Sequence, residues 1–166
     1  MLLLFSLAHA ESEVTLLQHT FKDRQLVVIP QLLINPKPAV TDAILNGIPI
    51  TLIIKVKAFQ QVSWWPDTVV DEMEHSLTIQ YFSLSGQYVL RNLYTQQQSS
   101  FITLRELLNH IGNNTQFVLG NVEDPVDYIG VRIVLDSGAL PSSMQLPILF
   151  NSEWDLDSEW SYQEVR

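Results

Sequence analysis

No cysteine occurs among the 166 residues, so neither a disulfide framework nor a thiolate metal site holds this chain together. Basic side chains are also scarce: 9 Lys and Arg face 18 Asp and Glu, for a formal net charge of −9. Affinity for phosphate backbones comes from clustered Lys and Arg, so nucleic acid is not an expected partner. Histidine is limited to His9, His19, His75 and His110, a thin supply for a metal site. The six glycines form no G-x-G-x-x-G fingerprint, no phosphate-binding loop and no G-x-S-x-G elbow, which leaves nucleotide enzymes and α/β-hydrolases without their usual signatures. No run approaches the roughly 18 apolar residues of a membrane span. What remains is 46% apolar and 16% charged, the composition of a folded rather than a disordered chain. At this length roughly two thirds of the unfolded surface can be buried, enough for a core that needs no covalent staple.

The first ten residues, Met1 to Ala10, are apolar and end in Ala8-His9-Ala10 before the polar Glu11-Ser12-Glu13. This predicts the end of a secretory signal peptide cleaved after Ala10, with residues 11–166 as one β-rich domain. No Lys or Arg precedes Lys22, so the basic start of such a signal is expected upstream of Met1.

The dominant hydrophobic period is two. Ile50, Leu52, Ile54, Val56 and Ala58 alternate with Thr51, Ile53, Lys55, Lys57 and Phe59, which predicts a strand with one face in a core. Leu77, Ile79 and Tyr81 repeat the pattern, and Ser85-Gly86 then separates them from Gln87 to Tyr94 as a hairpin. Ile129, Val131, Ile133 and Leu135 form a further set. Val14 to Phe21 and Gln25 to Ile34 read as a pair joined at Lys22-Asp23-Arg24, with Pro30 placing the second at an edge or bulge. Two short helices interrupt the strands. Pro38 to Asn46 has Pro at its start and Gly47 past its end, with Val40, Ala43 and Ile44 as its apolar stripe. The other opens on a Thr103 and Glu106 capping box and carries Leu104, Leu107, Leu108 and Ile111 inward before Gly112. Thr95 to Ser100 reads as a polar loop. The expected fold is mainly β: an antiparallel β-sandwich, immunoglobulin-like or a partly open barrel, with two short packed-on helices; an α+β roll is the alternative.

Chemistry-bearing residues are few. Asp71-Glu72-Met73-Glu74-His75 reads as an acidic, solvated start to a strand, with Asp71 and His75 on one face and Glu72 and Glu74 on the other. His110 falls on the polar side of its helix. In the tail, Glu153, Asp155, Asp157 and Glu159 read as the solvated face of an edge strand that buries Trp154, Leu156 and Trp160. The Gly and the terminal Glu of a calcium loop are missing. Asn113-Asn114-Thr115 matches a glycosylation sequon, which matters only on a eukaryotic secretory route. Trp64-Trp65 stands where a turn is expected, and adjacent indoles on extended backbone point to opposite sides. They either pack over the sandwich ends or serve as exposed anchors for a partner, a sugar ring or a membrane interface, and they are the candidate partner-binding residues.

These residues together resemble a bacterial family of short exported proteins grouped as a domain of unknown function. Its Gly-x-Pro strand opening corresponds to Gly47-Ile48-Pro49, its Trp-rich loop to Trp64-Trp65, and its Trp-x-Leu-x-Ser-x-Trp ending to Trp154 through Trp160. Between them lie Tyr81, the strand Gln87 to Arg91, the helix entry Phe101 to Glu106, Arg132 to Asp136 and Leu140-Pro141. The chain departs from the family's Leu-Pro-x-Pro-Leu at Leu140 to Met144, and its last aromatic motif is shortened to Trp160-Ser161-Tyr162. The resemblance implies export to the Gram-negative periplasm and frequent encoding beside a nitrogen-regulation-type two-component sensor kinase. It supplies no catalytic residue.

The expectation is therefore a non-enzymatic periplasmic binding or accessory domain, without catalytic residues, cofactor or metal, that touches a membrane protein such as the periplasmic region of a sensor kinase. The alternatives are an envelope hydrolase whose site is assembled from distant residues, and a small apolar ligand binder with a cavity of several hundred Å3 between its sheets.

Overall fold

The computed structural model describes residues 12–120, 125–148 and 150–165, so the expected leader at residues 1–10 lies outside the described residues. In chain order, β1 (Glu13–Lys22) and β2 (Gln25–Leu33) precede helix α1 (Pro38–Leu45). Then come β3 (Ile50–Gln60), β4 (Thr68–Phe82), β5 (Gln87–Asn92) and β6 (Gln98–Phe101). Helix α2 (Leu104–Asn114) leads into β7 (Phe117–Leu119) and β8 (Tyr128–Leu135), and helix α3 (Ser142–Ile148) precedes β9 (Ser161–Glu164). Two antiparallel sheets result, one ordered β1-β2-β7 and the other β6-β5-β4-β3-β8-β9. The fold is mainly β, as expected, and neither sheet closes into a barrel.

β3 is central because it is paired along most of its length on both sides, Ile54 lying opposite His75 of β4 and Ile133 of β8. Its inner residues Ile50, Leu52, Ile54, Val56 and Ala58 are buried, as are Leu77 and Ile79 of β4 and Ile129, Val131 and Ile133 of β8. The period-two pattern is thus the inner face of one sheet. The smaller sheet closes over it: Leu26, Val28 and Leu32 of β2 and Phe117 and Leu119 of β7 complete the same core. Each fully buried aliphatic side chain contributes about 1.5–3 kcal/mol relative to exposure.

Local signals explain the connections. Lys22 pairs with Gln25, leaving Asp23 and Arg24 as turn residues with φ of 50° and 64°, the two positive values of a type I′ turn. Pro30 stands beyond Val28, the last β2 residue paired with β7, so its missing N–H interrupts no ladder on that side. Helix α1 ends as expected at Gly47 (φ 80°), where the Gly47 N–H donates to the Ile44 carbonyl (2.9 Å) and the Ile48 N–H to that of Ala43 (3.0 Å). The capping box at α2 is complete: the Glu106 N–H donates to Thr103 Oγ1 and the Thr103 N–H to Glu106 Oε2, both at 3.2 Å.

Several expectations are corrected. Gln98–Phe101 is a strand, not part of a loop, and Gln98 pairs with Arg91. Residues 98–100 are exposed on this sheet edge, so no core face imposed an apolar alternation that the sequence could display. The preceding reversal is held by Asn92 Oδ1, which accepts from the N–H groups of Tyr94 (2.9 Å) and Thr95 (3.0 Å). A third helix, beyond the two expected, forms at Ser142–Ile148; the Gln145 amide ties it to the carbonyls of Gly138 (3.0 Å) and Leu140 (2.8 Å). The tail is not one long strand: Ser152–Trp154 is a 3-10 turn and pairing resumes only at Ser161.

Gly112 does not stop α2, which continues to Asn114. Its role is close approach, because a Cβ there would lie 2.2 Å from the Leu32 carbonyl oxygen of β2. Gly112→Ala is therefore expected to destabilise the fold by about 2 kcal/mol by urea denaturation, the overpacking exceeding the ~1 kcal/mol gain in helix propensity. Gly86→Ala, at φ 66° with open space around it, should cost only ~1 kcal/mol, from backbone conformation alone. Equal stability of wild type and Gly112→Ala would show that the helix does not sit this close to β2.

Candidate functional site

The loop between β3 and β4 carries Trp64 and Trp65, which are 92% and 77% exposed. The reading in which both indoles pack over the ends of the sandwich is overturned, because the loop is short and its base is fastened to β8. The Gln61 N–H donates to Asp127 Oδ2 (2.8 Å), the Asp127 N–H donates to the Phe59 carbonyl (2.8 Å), and the Tyr128 hydroxyl donates to Asp67 Oδ2 (2.5 Å). The loop's ends are thus positioned while its apolar tip stays in water.

Below this loop the outer face of the large sheet carries an aromatic cluster. Phe59 stacks on Tyr128 with ring centroids 4.8 Å apart, Tyr162 meets both edge-on at 6.1 and 5.7 Å, and Trp160 stacks beside Tyr162 at 6.2 Å. Gly130 makes room for it: a Cβ would come within 2.8 Å of Tyr162 Cε1 and 3.2 Å of Trp160 Cε3. Lys57 Nζ lies 5.9 Å from the Trp160 ring centre and 2.9 Å from Glu72. Lys55 pairs with Glu74 at 3.6 Å. Such exposed pairs contribute at most about 1 kcal/mol each, so their main effect is to leave a strip of mixed charge beside the aromatic rings.

The first acidic segment lies in β4, which begins at Thr68, with Glu72 and Glu74 solvated as expected and answered by Lys57 and Lys55; the tail differs from its sequence reading. In the tail, Asp157 is part of the sheet's hydrogen bonding: its Oδ1 accepts from the Leu135 N–H (2.9 Å) and its Oδ2 from Arg132 (3.2 Å). Ser158, buried beside it, accepts from the Ile133 N–H through Oγ (2.9 Å) and donates its own N–H to the Ile133 carbonyl (2.9 Å). Leu156 is buried as expected, but Trp154 and Trp160 are only partly buried, Trp160 lying on the outer face. Among the described residues no three His, Cys, Asp or Glu side chains converge as metal ligands would.

The opposite, inner face of β4 holds a histidine that sequence reasoning assigned to a solvated segment. His75 is only 7% exposed, stacked against Phe117 of β7 (4.3 Å) and Tyr94 (4.9 Å), and its buried Nε2 has no hydrogen-bond partner among the described residues. Burial lowers its pKa from the ordinary 6.5. The signal was present in the alternation, since His75 shares a face with Leu77 and Ile79; the flanking carboxylates obscured it. His75 and the exposed His110 of α2 border a cavity of about 230 Å3 between β4, β5 and the end of α2. Ser99 lines the same cavity, and no hydrogen bond joins it to either histidine.

Two antiparallel sheets with three helices define this as a mainly β fold, with an aromatic cluster on the outer face of the larger sheet. The chain belongs to the family described as Domain of unknown function (DUF4390), which it matches over residues 9–164. No curated protein and no solved structure matches it.

Partial burial, and then the hydrogen bond to Asp67 with its charge, push the Tyr128 pKa from 10 up to about 12. The folded state therefore holds this proton more tightly, and the associated stability is complete below pH 10 and lost as pH rises to about 12. The tyrosinate absorbance difference between wild type and Tyr128→Phe should show one group titrating near pH 12, and Asp67→Asn should bring that midpoint down. A wild-type midpoint near 10 would contradict this arrangement.

His75 has the opposite sign. Its lowered pKa means that the unfolded chain takes up the proton first, so stability declines as pH falls below 6.5. His75→Phe retains the ring stack and should flatten the stability profile between pH 7 and 5, by up to about 1.4 kcal/mol per pH unit. Identical slopes in denaturation series of the two proteins would place His75 in water.

Proposed function

We propose that this chain is a non-enzymatic binding or accessory domain of the periplasm that docks on another envelope protein through the Trp64–Trp65 loop. The periplasmic region of a membrane sensor kinase is the partner suggested by the family resemblance. The observation that carries the reading is the exposure of two adjacent indoles on a loop pinned at both ends. Exposed indoles are costly in water and bring large rigid apolar area at little entropic cost, which is why tryptophan is enriched among interface residues that dominate affinity. Through the Asp67 to Tyr128 bond the loop continues into Tyr128, Phe59 and Tyr162, giving an aromatic centre with a charged rim at Lys57 and Glu72. That anatomy suits a protein partner. Among the described residues no helix is long and apolar enough to cross a membrane.

Affinity capture from envelope extract and direct titration with the purified periplasmic region of the sensor kinase test this reading. Trp64→Ala combined with Trp65→Ala should leave the circular dichroism spectrum unchanged and weaken capture at least tenfold, as expected for loss of about 2 kcal/mol or more at an interface centre. Equal recovery by wild type and double variant would remove the loop from the binding surface.

A further inference from the structure

The outer face of the larger sheet is charged unevenly. Residues 58–90 and 133–165 contain no Lys or Arg, yet they hold ten of the 18 Asp and Glu. Those stretches supply β4 and β9, the strands on either side of β3 and β8. The cations that β3 and β8 place on this face are Lys55, Lys57 and Arg132, and each is already matched, by Glu74 at 3.6 Å, Glu72 at 2.9 Å and Asp157 at 3.2 Å. At the loop end of the face the balance differs. Tyr128 stands opposite Phe59 of β3 and Glu164 of β9 in register, so the three side chains share one row. Asp67 closes the row from the loop by accepting the Tyr128 hydroxyl. Asp67 and Glu164 are exposed, and among the described residues neither forms an ion pair.

We propose that the partner segment received by the Trp64–Trp65 loop is basic, an exposed stretch of protein that lays an Arg side chain against Phe59 and Tyr128 between Asp67 and Glu164. This rests on the docking reading above and names the chemistry of the partner. Aromatic rings attract a guanidinium through their quadrupole, and carboxylates beside them accept its N–H groups, so the row offers both contacts that Arg makes. The exposed indoles supply apolar surface for the rest of the segment. Charge complementarity then selects the occupant. A second copy of this chain would bring the same carboxylates and the same formal charge of −9. An anionic lipid surface would meet Asp67 and Glu164 as like charges behind the indole tip. An acidic segment would find Lys55, Lys57 and Arg132 already paired.

The test is a titration of the full 15N-labelled chain with a short synthetic peptide of alternating Gly and Arg, with its Glu counterpart, and with vesicles containing phosphatidylglycerol. The Arg peptide should move the signals of Trp64, Trp65, Tyr128 and Glu164 saturably, with a Kd below about 1 mM in about 25 mM NaCl. Binding should weaken at least fivefold in about 500 mM NaCl, where screening shortens the reach of a charge from roughly 20 Å to about 4 Å. Glu164→Gln and, separately, Asp67→Asn, which keeps an oxygen for the Tyr128 hydroxyl, should each weaken it about threefold or more, so misfolding of one variant does not decide the result. No response to the Arg peptide, equal binding of the Glu peptide or the vesicles, or binding that both variants leave unchanged would each overturn the proposal. The docking reading fails separately. Capture from envelope extract that needs both indoles, in a chain that ignores the Arg peptide, removes the basic partner and leaves the docking loop. Capture indifferent to the indoles, with the Arg peptide still bound through Asp67 and Glu164, removes the loop and keeps the Arg-binding row.

Discussion

The structure depends on removing one face of β3 from water. Ile50, Leu52, Ile54, Val56 and Ala58 are buried in a strand whose backbone is paired by β4 on one side and β8 on the other. Because successive side chains alternate, a one-residue slip would put Thr51, Ile53, Lys55, Lys57 and Phe59 into the core instead. Two lysines in that set make the slip prohibitive, so the register of the large sheet is strongly specified. The smaller sheet and α2 are then what cover the face, and the 2.2 Å approach that a Gly112 Cβ would make to β2 shows how closely the cover is drawn.

Once the inner face is committed, the outer face is free to vary, and it carries the features that look outward. Lys57 and Lys55 stand across from Glu72 and Glu74, and Gly130 leaves a shallow bed for Tyr162 and Trp160. The tail completes the edge by an uncommon means. Asp157 and Ser158 use side-chain oxygens to take the N–H groups of Leu135 and Ile133, which a regular partner strand would have met with carbonyls. The edge is thus covered by short, polar, charged chain rather than by a long open strand, which also disfavours pairing with another molecule.

Much of the fold was legible because the elements concerned touch the core. The inner residues of β3, β4 and β8, the stripes of α1 and α2, the capping box and the Gly47 stop each follow from a pattern that burial or helix geometry requires. β6 and α3 were not legible, for a shared reason: Gln98, Ser99 and Ser100 are exposed and α3 buries only Ile148 among its described side chains, so neither carries a periodic apolar face. Of the surface, Trp64 and Trp65 were readable as a choice between packing and exposure. The pinning of their loop was not, because Asp67, Asp127 and Tyr128 meet across a long separation in sequence.

By itself the sequence determined the strand-dominated class, the strand from Ile50 to Phe59 with its buried face, and the absence of cysteine, since each rests on composition or on local periodicity. Only the tertiary structure decided which side chains are exposed together: the indole loop joined to the Phe59, Tyr128 and Tyr162 rings, and His75 drawn inside with an unmet nitrogen. Those outcomes depend on strand pairing between segments far apart in the chain, and alternation alone names a face without saying what will cover it.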